Sequence, residues 1–244
     1  MKIEYVNGRR VSKFLYELSP LDSAIQRYEE NIKRHKKQVK SAPTDQLKAG
    51  SSTYETRDSL EKKALEFLDK EARGLEKLSS VYAQLEAYRA QGEAALSKNA
   101  TTARKALNRS TSESHHPTDD LEKYMMAEGV PKPSALHTAH HIVPGAGRLP
   151  TVTTATRLHI HRNGIRINDP ANGVYLLHKD EYTPHWSMPK SRGHLTYHTK
   201  QYEQFLNSRI TGLRGMDVIK TQLQVIGRLL QQNEPKTAIA NIRK

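Results

Sequence analysis

The sequence predicts a mostly helical α+β protein: a helical hairpin or bundle at the N-terminus, then a small module of two strands and a helix with further helices around it. Three observations lead there. Long stretches of the first half repeat apolar residues at helical spacing. Every histidine except His35 lies between His115 and His198. Within that same stretch, short β-favouring runs are bounded by Pro-Gly and Asn-Gly turn signals. A chain of 244 residues accommodates two unequal parts. With 36% hydrophobic residues and a mean hydropathy of −0.77, it suits exposed helices beside a compact module better than one thick core.

Taken in order, residues Met1 to Leu18 alternate weakly (Ile3, Tyr5, Val11, Phe14, Leu15), which predicts a short strand or hairpin around Asn7-Gly8. Ser19-Pro20 is a helix start, because serine caps an N-terminus and proline is pre-set for the first helical position. A helix from Pro20 to about Lys40 then aligns Leu21, Ile25, Tyr28, Ile32 and Val39. Ala42-Pro43 and the run Ala49-Gly50-Ser51-Ser52 predict a loop. A longer helix follows from about Tyr54 to at least Tyr88, with Leu68, Leu75 and Tyr82 in heptad spacing beside Ala64, Leu78 and Leu85. Glu71 interrupts that seam and Gly74 weakens it. The expectation is an antiparallel helical hairpin, extended by a helical stretch from Glu93 to Leu107. Residues Asn108 to Thr118 read as a polar linker, in which His115-His116 is a solvated pair. Thr118 caps a short helix through Met126, stopped by Gly129, Pro131 and Pro133.

The histidine-rich part begins with Thr138-Ala139-His140-His141-Ile142-Val143, a short strand closed by Pro144-Gly145. Ala155 to His161 forms a helical turn ended by Asn163-Gly164, and Asn172-Gly173 leads into a second strand, Val174 to Leu177. A helix predicted from near Ser191 to about Arg209 would place His194 and His198 on one face, a spacing able to chelate one ion. Trp186, between Pro184 and Pro189, could stack on a base but reads rather as a packing anchor. Adjacent side chains on a strand point to opposite faces, so His140 and His141 are expected to do different work. A last helix carries Ile219, Leu223, Ile226 and Leu230 on one stripe, either to close the core or to bind a partner.

Composition narrows the chemistry. Lys and Arg outnumber Asp and Glu by 39 to 26, a net charge of +13, which points to a polyanionic partner. The absence of cysteine removes disulfides, thiolate catalysis and thiolate-bound zinc. Any metal rests on His, Asp, Glu or Asn. No apolar run resembles a secretory signal or is long enough to span a bilayer, so the expectation is synthesis in the cytoplasm without a signal peptide and no membrane insertion.

Three ordered motifs carry a family resemblance: residues 138–145 (Thr-Ala-His-His-Ile-Val-Pro-Gly), residues 163–176 (Asn-Gly-Ile-Arg-Ile-Asn-Asp-Pro-Ala-Asn-Gly-Val-Tyr-Leu) and residues 194–202 (His-Leu-Thr-Tyr-His-Thr-Lys-Gln-Tyr). The stretch from Leu136 to Ile210 resembles the AHH nucleases, a branch of the HNH/endonuclease VII (ββα-metal) superfamily found as toxic domains of bacterial polymorphic toxins; nothing before about residue 115 shares in it. The resemblance implies a division into a helical region, 1–115, for delivery, docking or scaffolding, and a nuclease domain, 116–244. It implies His140, His194 and His198 as metal ligands, His141 as general base, and Asn172 as the residue that orients the base or braces its loop. A DNase acting as an antibacterial toxin effector, secreted or injected into target cells and countered by a cognate immunity protein, is the function implied. The N-terminal helices would then meet a secretion component or chaperone. One divalent ion is expected, with zinc, nickel or manganese suiting imidazoles better than magnesium. Arg148, Arg157, Lys190 and Arg192 are the expected phosphate contacts. The alternatives are an RNase toxin and a noncatalytic, zinc-stabilised module that binds nucleic acid.

Overall fold

A computed structural model describes residues 18–42 and 56–234 together with two short strands, β1 (Tyr5–Val6) and β2 (Arg9–Arg10), which pair antiparallel. The loop expected around Pro43 and residues 49–52, and the turn at Asn7-Gly8, lie outside the described residues. Two compact units are formed, Met1–Tyr82 and Ala83–Lys244. The second therefore takes in residues upstream of His116.

In the first unit, α1 (Pro20–Ser41) starts on a capping box: Ser19 Oγ accepts from the Asp22 N–H at 3.0 Å, and the Ser19 N–H donates to Asp22 Oδ2 at 3.2 Å. It meets the first part of α2 (Arg57–Glu93) antiparallel, since Asn31 contacts Glu71 while the His35 ring lies 5.2 Å from that of Phe67, tilted to it. Glu71, the residue that breaks the apolar seam, accepts both bonds of the buried Asn31 amide, at 3.0 and 2.8 Å. A polar pair at a seam position fixes one register at the expense of apolar contact.

The second unit is built on two antiparallel strands, β3 (His137–His141) and β4 (Gly173–Leu177), in the register His140↔Val174 and His141↔Gly173. Upstream come the end of α2, a short helical turn, Ala94–Leu96, and α3 (Ala100–Thr111). Then α4 (Asp119–Ala127) packs Leu121 and Met125 against Ala139 and Tyr175. Gly173 does more than turn the chain: a Cβ there would stand 2.5 Å from Met125 Sδ and 2.9 Å from Leu121 Cδ1, so α4 sits directly on its backbone. Helix α5 is a full helix, Pro150–Arg162, rather than a turn from Ala155. Its N-cap, Leu149, has no side chain able to cap. Buried Glu203 substitutes, accepting from the Arg148 and Leu149 N–H groups at 2.7 Å each and from Thr153 Oγ1 at 2.8 Å.

The largest departure from expectation concerns His194 and His198. The α-helix predicted from Ser191 begins only at Lys200, as α6 (Lys200–Ile210), capped by Thr199, whose hydroxyl accepts from the Tyr202 N–H. His194 opens a tight 3₁₀ turn, His194–Tyr197, and His198 follows it. The cause is tertiary. Asp180 holds the Gly193 N–H at 2.7 Å and grips Arg192, while Gly193 bridges to Leu177, so the chain arrives extended and cannot start an α-helix there.

Helix α7 (Met216–Gln231) closes the core: Ile219, Leu223, Ile226 and Leu230 are fully buried with Phe205, Leu206, Ile142 and Leu176. The Tyr202 hydroxyl donates to Ile142 O at 2.9 Å and the Tyr197 hydroxyl to Leu230 O at 2.8 Å, tying α6, α7 and the end of β3 together. Between its two outcomes, the last stripe is core.

Candidate functional site

Because successive strand residues face opposite ways, β3 sends His140 and His141 into different surroundings. His140 meets the His194–His198 turn. The ring centroids of His140 and His198 are 5.3 Å apart, those of His194 and His198 5.8 Å, and those of His140 and His194 6.2 Å. Imidazoles bound tetrahedrally to one ion at about 2 Å place their centroids about 5 Å apart. The three rings stand wider apart than that, and among the described residues no three such groups already meet in ligating geometry.

The donor chemistry fits a cation. Nε2 of His140 is buried without a hydrogen-bond partner, which is costly unless something accepts its lone pair. Nδ1 of His194 faces the His178 carbonyl at 3.0 Å; a carbonyl only accepts, so Nδ1 carries the proton and Nε2 is left free. Burial is the first cause lowering the pKa of all three rings, followed for His140 by the neighbouring imidazoles His198 and His194. Neutral imidazoles are what a metal needs.

His141 faces the other way. Its Nε2 lies 2.8 Å from Asn168 Oδ1, and burial pushes its pKa down to about 4 against the opposing effect of that bond. Asn172 does not touch it. The Asn172 side chain accepts from the Val143 N–H at 2.8 Å and donates to Val143 O and Ile167 O, bonds that tie the chain after β3 to the segment before β4. Asn168 is the residue that sequence reasoning missed, although it stands in the same Ile-Asn-Asp-Pro motif; nothing local says which asparagine points at the imidazole.

His115 and His116 also border this site: the linker that carries them leaves His116 exposed, as expected, but half-buries His115. Their rings lie 6.2 and 6.3 Å from that of His141. The His115 ring covers Gly145 so closely that a Cβ there would meet it at 2.2 Å. Together with His140, His141, His194 and His198 they line a cleft of about 450 Å³. A second, adjoining cleft shares His140 and His198 and has Arg148 on its wall.

The other expected phosphate contacts divide. Arg148 and Lys190 are exposed. Arg192 is tied to Asp180, which helps to pin the His194 turn. Arg157 points inward. Its guanidinium donates to the carbonyls of Gly145, Ser110 and Glu113 and to His161 Nε2, which makes it a brace between the histidine loop and the segment before it. Trp186 is 82% exposed, its ring 5.6 Å from that of His185, so it is not the buried anchor expected.

His161 supplies a pH dependence of stability separate from the cleft. It is 1% exposed, donates from Nδ1 to Ile165 O at 2.8 Å and accepts from Arg157 at Nε2, an arrangement open only to the neutral ring. Burial above all holds its pKa down to about 4, against an ordinary 6.5. Between those values the unfolded chain binds the extra proton. The contribution, about 3 kcal/mol, is therefore full above pH 6.5 and is lost as pH falls toward 4. His161→Gln should flatten that part of the stability curve in urea titrations; a slope identical to wild type would contradict it.

A model of the AHH family, described as a nuclease family of the HNH/ENDO VII superfamily with conserved AHH, matches residues 121–232. No curated protein and no solved structure matches the chain. Ala139-His140-His141 lies within the matched segment, at the end of β3 where the two imidazole environments part. Residues 121–232 thus match the AHH nucleases of the HNH/ENDO VII superfamily, and the three motifs at 138–145, 163–176 and 194–202 all fall inside that segment.

Proposed function

We propose that this nuclease is a metal-dependent endonuclease that cuts DNA and acts as an antibacterial toxin effector. One observation carries the catalytic part of the reading: three neutral imidazoles from two distant chain segments converge beside a fourth, His141, which an asparagine holds apart from them. In this assignment His140, His194 and His198 hold one divalent ion. The chemistry such an ion supplies when bound is Lewis acidity toward the scissile phosphate and its departing oxygen. His141, neutral at physiological pH, takes the proton of the attacking water. Asn172 keeps the loop after β3 in place, and Arg148 on the cleft wall with exposed Lys190 holds flanking phosphates. Arg192 and Arg157 act through the loops they brace.

The charge of +13 favours a polyanion over a small phosphodiester. The nuclease function we assign to residues 116–244 and delivery, docking or scaffolding to 1–115, with a cognate immunity protein protecting the producing cell. No helix among the described residues is long and apolar enough to cross a membrane. Incubation of the purified chain with plasmid DNA and with RNA, with manganese, nickel, zinc or magnesium and with a chelator, tests the reading. Plasmid nicking abolished by chelator is expected. Cleavage of RNA alone would make it an RNase, and binding without cleavage under any ion would leave a noncatalytic zinc module.

A further inference from the structure

The residue holding His141 is itself held from outside the family-matched segment. Asn168 Nδ2 donates to Glu113 Oε1 at 2.9 Å and to Ser114 O at 3.1 Å. Both partners are acceptors, so the amide nitrogen is drawn to that side and Oδ1 is turned toward His141 Nε2. Nε2 must then carry the ring proton, and Nδ1 is left as the basic atom.

Glu113 has little freedom to do otherwise. Its Oε1 also accepts from the Tyr88 hydroxyl at 2.5 Å, and its Oε2 accepts from Arg166 Nε at 2.9 Å, with Arg166 Nη2 at 2.8 Å. Arg166 continues to Gln91 at 2.8 Å and lies 4.0 Å over the Tyr88 ring. The Asn168 N–H donates to the Tyr88 hydroxyl at 2.8 Å, closing the circuit. Tyr88, Arg166 and Asn168 are all buried, and the Glu113 side chain is 11% exposed. In such surroundings each satisfied bond restricts the next, and an unsatisfied one is expensive.

We propose that Glu113 is a positioning residue of the nuclease: by orienting Asn168 it selects the tautomer of His141, so the segment from Tyr88 to Ser114, upstream of residues 121–232, is part of the catalytic machinery. The proposal rests on His141 being the base. It also assigns a task to chain that carries no nuclease motif of its own.

The test pairs kinetics with ¹⁵N-edited NMR of the histidine rings in metal-free protein. Wild-type His141 should be in the Nε2–H form; an Nδ1–H form would overturn the proposal without any variant. Glu113→Ala, or the closer-sized Glu113→Met should alanine not fold, is expected to give a tautomer mixture and to lower kcat about 10-fold or more with KM within about twofold. Glu113→Gln, which keeps an acceptor for Asn168, should restore the Nε2–H form and most of the activity. A folded Ala or Met variant with the wild-type tautomer and kcat would overturn the proposal. So would a Gln variant as impaired as Ala. Failure of the nuclease reading looks different: wild type and His141→Ala would then be equally inactive, while the NMR arm still decides whether Glu113 governs the ring.

Discussion

Replacing His141 with alanine is expected to lower kcat for plasmid cleavage by about 100- to 10,000-fold, the usual contribution of a positioned general base. The geometry says what should survive. His141 projects from β3 away from the His140, His194 and His198 rings, toward Asn168 and the His115-His116 pair. Metal binding should therefore persist, and so should the fold, whose largest apolar cluster is built from α5, α6, α7 and the neighbouring strand residues. Single-turnover cleavage together with a zinc titration checks both halves. Wild-type rates in the variant would remove His141 from the mechanism.

The second large effect concerns the metal. If the triad binds one ion in the folded state, zinc at about 100 times its dissociation constant stabilises the chain by about 2.7 kcal/mol. For a chain of this size that is a rise in Tm of roughly 5–10 °C. His140→Ala removes the ligand whose Nε2 is buried without a partner. It should abolish that rise, with His194→Ala and His198→Ala reducing it. The quantity compared is the increment due to zinc in each protein, so any change in the stability of the apo variant cancels. A full increment in His140→Ala would show that the ion sits elsewhere, with His115-His116 the first place to look.

These expectations could be framed from sequence because the signals involved are local. A capped helix at Ser19-Pro20, the strand through His140-His141, which stops two residues short of the expected Val143, and the strand after Asn172-Gly173 each depend on residues close in the chain, and each is present. The apolar stripe of the last helix was equally legible, but whether it faced a partner or the core depended on what the rest of the chain left uncovered. The expected α-helix through His194 failed because an i, i+4 spacing is compatible with more than one backbone. Asp180 and Leu177 reach Gly193 from elsewhere in the chain and impose an extended entry that no local propensity records.

By itself, then, the sequence determined the α+β, mostly helical character and the stretch in which the nuclease motifs and nearly all the imidazoles lie, since charge, periodicity and residue chemistry are properties of the chain. Tertiary structure decided which asparagine faces His141, that Arg157 turns inward, that His115 and His116 join the cleft, and that Glu113 holds Asn168. Those are questions of direction and distance between segments far apart in the chain, settled by burial, which leaves each polar group near His141 only the partners that folding brings to it.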